Sequence, residues 1–332
     1  MIHVFLAKKG SSDCAIASRK VLEDPDRPDQ SWVIWIDLDH PEPEEEELVI
    51  DWLNILHPLT LEDIRMPKRH ENGMPHLPKL EDFEDYTFLV LNPLREASLD
   101  STGSATCTQL SCIVTDNVLV TWHYNPVVGI DALKQRIVRQ GPLVGKGVDS
   151  LLQKVLDESV EGFIPIIDQV EENLDNLEET IFSRPEPRTL EKLMGYKRGI
   201  QGLRRTLQHE RDAVSRLMRG ESSRIGRGDQ VQFRDVHDHL LGFLEVLETN
   251  REMVSDLVQI YLACDSQRLN EVMRVLTGLS TLVLPMGLIT GIYGMNVKMP
   301  ETEWEYGYPM VLLILVIIAV GGFSYLKWRK WL

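Results

Sequence analysis

Histidine and cysteine are where metal chemistry would show first, and their spacing here argues against it. His237 and His239 stand two apart, on different sides of any helix, and Cys107 and Cys112 stand five apart, facing opposite ways along a strand. The four cysteines, Cys14, Cys107, Cys112 and Cys264, follow no CxxC spacing and read as reduced thiols in a cytoplasmic setting. Beyond Cys264 there is neither His nor Cys, so that segment offers no imidazole or thiolate of the kind zinc prefers. Phosphate chemistry fails as well. The run GPLVGKGV from Gly141 has three residues between Gly141 and Gly145 where a P-loop has four, and Gly147 stands where Ser or Thr belongs. GxSxG, HExxH and GxGxxG are missing too, so the sequence does not read as an enzyme.

The 332 residues hold 35 Lys and Arg against 51 Asp and Glu, a net charge of −16. Such a surplus of carboxylates excludes nucleic acid as the main partner and favours cations. The charge is uneven. From Arg274 onward five basic residues face three acidic ones, so the negative charge lies ahead of Arg274. There the chain turns apolar: Leu276 to Tyr293 and Tyr308 to Leu326 carry no charge, and each is long enough for a helix to cross a bilayer core, which takes about 20 residues. Buried core helices of a soluble domain would keep a polar stripe, which both runs lack.

Arg268 and Arg274 precede the first run, and Lys327, Arg329 and Lys330 follow the second, so both termini are expected in the cytoplasm of a cell (inner) membrane protein. The connecting hairpin, with Lys298 against Glu301, Glu303 and Glu305, is expected outside. Tyr293, Trp304, Tyr306 and Tyr308 on one side, and Tyr325, Trp328 and Trp331 on the other, mark the two interfaces with lipid. Two helices cannot enclose a water-filled path, so conduction of anything polar requires several copies around an axis.

The segments that must carry these spans read as an α/β domain. Strands are expected at Val4–Ala7, Trp32–Leu38, Tyr86–Leu91, Gln109–Val114 and Val118–Trp122, the last two hinged at Asp116-Asn117. Glu44–Leu56 reads as a helix, and LTLEDI opens another turn. Leu151–Phe182 and Thr189–Met218 follow with apolar residues at helical spacing, separated by Pro185 and Pro187. On the former, Asp157, Glu161, Asp168, Glu172, Asp175 and Glu179 are expected to form a solvated acidic face. From about Gln230 the apolar period runs on to Tyr293, which as one helix would be roughly 95 Å long. The expected division is an α/β domain at 1–140, a helical hairpin at 141–229, a stalk at 230–275, a first span at 276–293, an external loop at 294–307, a second span at 308–326 and a basic end at 327–332.

At the outer end of the first span stands Tyr293-Gly294-Met295-Asn296, followed by Met299-Pro300-Glu301, and here the sequence resembles the CorA family of magnesium channels. The resemblance extends to LNEVMRVL (269–276), FRDVHDH (233–239), HPLTLEDI (57–64) and FEDYTFLVL (83–91), covers most of the chain, and thins before Trp32. It implies a CorA-like funnel: a cytoplasmic α/β domain feeding a long stalk that becomes a pore-lining span, five copies to the assembly.

It also implies roles. Mg²⁺ holds its water tightly, so the Asn296 carboxamide can hold the hydrated ion through that water, with Met295 and Gly294 giving shape and Gly294 permitting the turn. Asn270, Met273, Leu276, Thr277, Ser280, Leu284, Gly287 and Gly291 match the pore line, although small residues there also let helices approach closely. Gly287 stands where a threonine is expected, and Pro285 beside it can bend the helix. Asp63 and Asp235 match carboxylates that bind regulatory Mg²⁺ between neighbouring domains, and Glu301 and Glu303 add acidity outside. Co²⁺ is a second expected cargo. The alternative branch is the ZntB zinc transporters, which usually have Gly-Ile-Asn at the mouth; the alternative outside transport is a membrane-tethered structural or divalent-sensor protein.

Overall fold

In the computed structural model the β-branched and aromatic run Trp32–Asp39 is a strand buried along nearly its whole length. The structure describes residues 1–11, 14–17, 19–23, 28–69, 75–140, 144–183, 186–226, 231–296 and 304–329. They form two compact units, Met1–Val258 and Gln259–Leu332.

In the first unit β1 (Ile2–Lys8), β2 (Cys14–Ala17), β3 (Trp32–Asp39), β4 (Lys79–Asp82), β5 (Thr87–Leu91), β8 (Leu110–Val114) and β9 (Val118–His123) form one mixed sheet, ordered β2-β1-β3-β9-β8-β5-β4. Only β3 and β9 pair in parallel among the described strands, from Ile34 opposite Val118 to Asp39 opposite His123. β6 (Leu94–Leu99) and β7 (Ala105–Cys107) pair separately. The helices are α1 (Lys20–Glu23), α2 (Pro43–Leu53), α3 (Pro58–Arg69), α4 (Val128–Gln140), α5 (Val148–Glu161), α6 (Ile164–Ser183), α7 (Pro187–Met218), α8 (Gln232–Tyr293) and α9 (Gly307–Trp328).

Strand alternation divides the core. Ile34, Ile36, Leu38, Val118, Val120 and Trp122 meet Val49, Trp52 and Leu53 of α2 and Ile64 of α3. The alternate residues Trp35, Asp37, Thr121 and His123 lie on the other face, where α5 packs on β9 and α4 on α5. There Thr121 Oγ1 accepts from Trp35 Nε1 at 2.9 Å and donates to Asp37 at 2.6 Å. His123 Nε2 lies 3.2 Å and Lys134 Nζ 3.0 Å from the same fully buried carboxylate. Burial pushes the Asp37 pKa up, but the His123 hydrogen bond and the two positive charges outweigh it and bring it down from 3.8 to about 2. Burial pushes His123 down, and Asp37 more than reverses this.

Removing the carboxylate takes away the only fully buried counter-charge of His123 and Lys134 among the described residues, leaving them the more exposed Asp39 and Asp131. Asp37→Ala is therefore expected to cost about 3–5 kcal/mol, a fall in melting temperature on the order of 10 °C by thermal melts in detergent. Because the folded pKa is depressed, the wild-type contribution is present above 3.8 and fades as pH falls toward 2. That acid limb should be absent from the variant.

Local chemistry sets the helix ends. Pro43 occupies the first turn of α2, Glu42 and Glu45 form a capping box, and Asn54 closes the helix in the left-handed conformation at φ 50°. That halts the helix expected over Glu44–Leu56 at Leu53. The helix expected over Leu151–Phe182 is two, α5 and α6, broken at Gly162-Phe163. Pro165 has no N–H to give the carbonyl of Glu161, and its ring crowds it, so the helix restarts. The expected acidic face is therefore not continuous: Asp157 is buried on α5 beside Lys154, and only Asp168, Glu172, Asp175 and Glu179 form an exposed stripe on α6. On α7, Gly195 and Gly199 let the β6–β7 turn lie against the helix, since a Cβ at either would collide with the carbonyl oxygens of Thr102 and Gly103.

The 62 residues of α8 rise about 93 Å. Its N-terminal part buries Phe233, Val236, Leu240, Leu247, Val254 and Leu257, and Arg204 of α7 reaches Glu248 at 2.6 Å. The remainder belongs to the second unit with α9.

Candidate functional site

Beyond Arg274, in the second unit, Val275, Gly278, Leu282, Met286, Ile289 and Tyr293 are the covered positions of α8. Their steps of three and four residues describe one stripe. On α9 the matching stripe is Val311, Leu315, Ala319, Gly322 and Leu326, and Gly322 lies directly beneath the Leu282 side chain. This is the α8–α9 contact.

Asn270, Met273, Thr277, Ser280, Leu284, Gly287 and Gly291 lie on another stripe, and at about 100° per residue its centre is turned close to 190° from the first. The expected pore line thus faces directly away from α9, with Leu276 at its edge. Leu284 is 71% exposed, Met273 58% and Leu276 56%. Nothing lies within 4 Å of where a Cβ would sit at Gly287 or Gly291. The bare backbone of Gly287 helps form a groove of about 570 Å³ with Ser280, Val283, Leu284 and Leu288. The helix continues through Pro285.

Hydroxyls on this helix differ in availability. Those of Thr281 and Thr290 bond to backbone carbonyls of their own helix, at 2.8 Å to Thr277 and 3.0 Å to Met286. Thr277 and Ser280, on the outward stripe, are exposed and make no side-chain hydrogen bond among the described residues.

At the top of the stripe α8 ends at Tyr293, and the Gly294 N–H closes the last turn on the Thr290 carbonyl at 2.9 Å. Gly294 lies in the turn that follows the helix, without a positive φ, and a Cβ there would stand 3.0 Å from the Thr290 carbonyl oxygen. Met295 and Asn296 follow, both exposed. Glu301 and Glu303 lie outside the described residues.

Of the two expected regulatory carboxylates, Asp63 is on α3 and Asp235 in the first turn of α8. Asp235 is 74% exposed, with His239 Nε2 at 4.0 Å. Asp63 is 20% exposed and already engaged: Lys79 Nζ donates to its Oδ2 at 2.7 Å, and His76 Nε2 is 3.6 Å from its Oδ1. Among the described residues no three His, Cys, Asp or Glu gather closely enough to hold a metal ion. Asp63 and Asp235 do not form a metal site within one chain. Lys79 and His76 escaped the sequence reading; the signal available was strand alternation, which puts Lys79 and Glu81 on one face of β4.

The family model described as CorA-like Mg2+ transporter protein matches residues 30–330. The chain belongs to this family. The cobalt/magnesium transport protein CorA of Thermotoga maritima is 35% identical over 280 residues, 83% of this chain and 77% of that one. The solved CorA magnesium transporter of Methanocaldococcus jannaschii shares the fold at a TM-score of 0.82 and 22% identity, covering 99% of this chain and 98% of that one. The ZntB cytoplasmic domain of Vibrio parahaemolyticus also shares it, at a TM-score of 0.64 and 13% identity, covering 80% of this chain and 99% of that one. The fold therefore does not separate the two branches. As a CorA-family transporter the chain is a membrane protein, and α9 and the apolar part of α8 are its two helices long and apolar enough to cross.

Proposed function

We propose that the chain is one subunit of a pentameric magnesium channel in the cell (inner) membrane, with both termini in the cytoplasm. Hydrated Mg²⁺, and Co²⁺ at the same mouth, enters down the membrane potential. Regulatory Mg²⁺ held between copies by Asp63 and Asp235 closes the path. The observation that carries this reading is the stripe from Asn270 to Gly291, turned away from α9 and ending at Gly294-Met295-Asn296.

A second feature supports assembly around that stripe. Leu262, Leu269, Met273 and Leu276 are 55% to 61% exposed, at steps of seven, four and three residues on the same side of α8. Such a/d spacing is a coiled-coil seam, and Leu262 and Leu269 lie among Asp265, Arg268 and Glu271, where lipid cannot cover them. Copies of the same helix can. Their axis would then hold Thr277 and Ser280 hydroxyls and the open backbone of Gly287 and Gly291, a weakly polar lumen suited to an ion that keeps its water.

At the mouth, water on Mg²⁺ donates hydrogen bonds to the Asn296 carboxamide oxygen of each copy, so the ion is recognised without dehydration, which Mg²⁺ resists. The acidic loop with Glu301 and Glu303 raises the local cation concentration. An inside-negative potential of 100 mV supplies about 4.6 kcal/mol for a divalent ion, twice the single-charge value, so no fuel site is needed.

The test is Mg²⁺ entry into proteoliposomes with an internal indicator and an imposed inside-negative potential, with Zn²⁺ run alongside. Mg²⁺ influx that follows the potential is expected. Zn²⁺ flux alone would move the chain to the zinc branch, and no flux of either ion would favour the tethered sensor.

A further inference from the structure

Lys79 occupies an unusual position at the proposed regulatory site. Its Nζ lies 2.7 Å from Asp63 Oδ2 and 2.8 Å from Glu81 Oε1, between two carboxylates in the manner of a bound cation. The stem is held as well, since the ammonium stands 5.9 Å from the centre of the Phe88 ring and the side chain is only 22% exposed. Partial burial lowers the Lys79 pKa, but the hydrogen bonds to Asp63 and Glu81 outweigh it and raise it above the ordinary value.

The platform beneath is fixed. Gln109, almost fully buried, donates from Nε2 to the Asp63 carbonyl at 2.9 Å and accepts from the His76 N–H at 2.9 Å. The Asp63 backbone is thereby held, and its carboxylate is already paired with Lys79. Any ion that uses its carboxylate must share it with Lys79 or displace it.

We propose that Lys79 is a tethered competitor for the carboxylate of Asp63, and that it sets the Mg²⁺ concentration at which the regulatory site fills. This rests on the proposed role of Asp63 and Asp235. The ammonium satisfies Asp63 when Mg²⁺ is scarce, sparing it an unpaired, half-buried negative charge. As Mg²⁺ rises, the ion takes over the shared oxygen and Lys79 retains Glu81. The built-in cation shifts filling to higher Mg²⁺ than two bare carboxylates would require.

The test is Mg²⁺-dependent protection of the full chain from limited proteolysis in detergent, read as the midpoint Mg²⁺ concentration. Lys79→Met, which keeps the stem and loses the charge, is expected to lower the midpoint about tenfold, whereas Lys79→Arg leaves it near wild type. Lys79→Gln gives the same reading if the methionine variant does not assemble. An unchanged or raised midpoint in the neutral variants, with protection lost in Asp63→Asn/Asp235→Asn, overturns the competitor role alone. Protection that persists in the double variant overturns the regulatory reading, and the inference with it.

Discussion

Asn296→Ala is expected to reduce Mg²⁺ entry into proteoliposomes on the order of a hundredfold or more, with the purified assembly unchanged in size. In the proposed assembly each carboxamide would make one charge-assisted contact to water on the ion, worth about 1.5–3 kcal/mol, and symmetry would remove it from every copy at once. The contact is not replaced from nearby, because below the mouth the outward stripe offers bare backbone at Gly291 and Gly287, then Ser280 and Thr277, and a carboxamide only at its far end, Asn270. Nor should the substitution disturb the fold, since Asn296 is exposed and follows the last turn of α8. Gly294→Ala is the informative companion. Its new methyl would stand 3.0 Å from the Thr290 carbonyl, so it tilts the mouth without deleting a ligand and should lower flux less. Wild-type flux in Asn296→Ala would remove the mouth from the mechanism.

The two long apolar helices and the stripe of α8 turned away from α9 were legible because they are written locally. A charge-free run needs no knowledge of what lies beside it, and a stripe at steps of three and four is a property of one helix. The central strand was legible for the same reason, as WVIWIDLD admits few other fates. What failed was interruption and distance. Pro165 was passed over inside an apolar period that continues on both sides of it, although its missing N–H breaks the helix. The ion pair of Asp63 with Lys79 joins residues 16 apart on different elements, and the Asp37, His123 and Lys134 cluster joins β3, β9 and α4. Contacts of that kind follow from topology, which sequence periodicity does not encode.

Asp63→Asn with Asp235→Asn is expected to keep the transporter open at internal Mg²⁺ that closes the wild type, moving half-inhibition at least about tenfold higher in concentration. The negative charge of the chain lies ahead of Arg274, so the parts that would surround a common axis repel one another, and a divalent ion between them relieves that repulsion. Two carboxylates from two copies would be the minimum clamp, because among the described residues neither gathers two further His, Cys, Asp or Glu within one chain. The single variants divide the effect. Asp235→Asn leaves the Asp63 and Lys79 pair intact and removes an exposed ligand only, so it should move the midpoint without affecting stability. Asp63→Asn also leaves the Lys79 ammonium with Glu81 alone, adding positive charge where the ion would sit, and should weaken closure more. Salt separates this from simple charge reduction: screening at high monovalent salt reduces repulsion in every variant, but only the wild type should retain a response specific to Mg²⁺. Unchanged Mg²⁺ inhibition in the double variant would leave both residues as ordinary surface carboxylates and would place the closing ion elsewhere between copies.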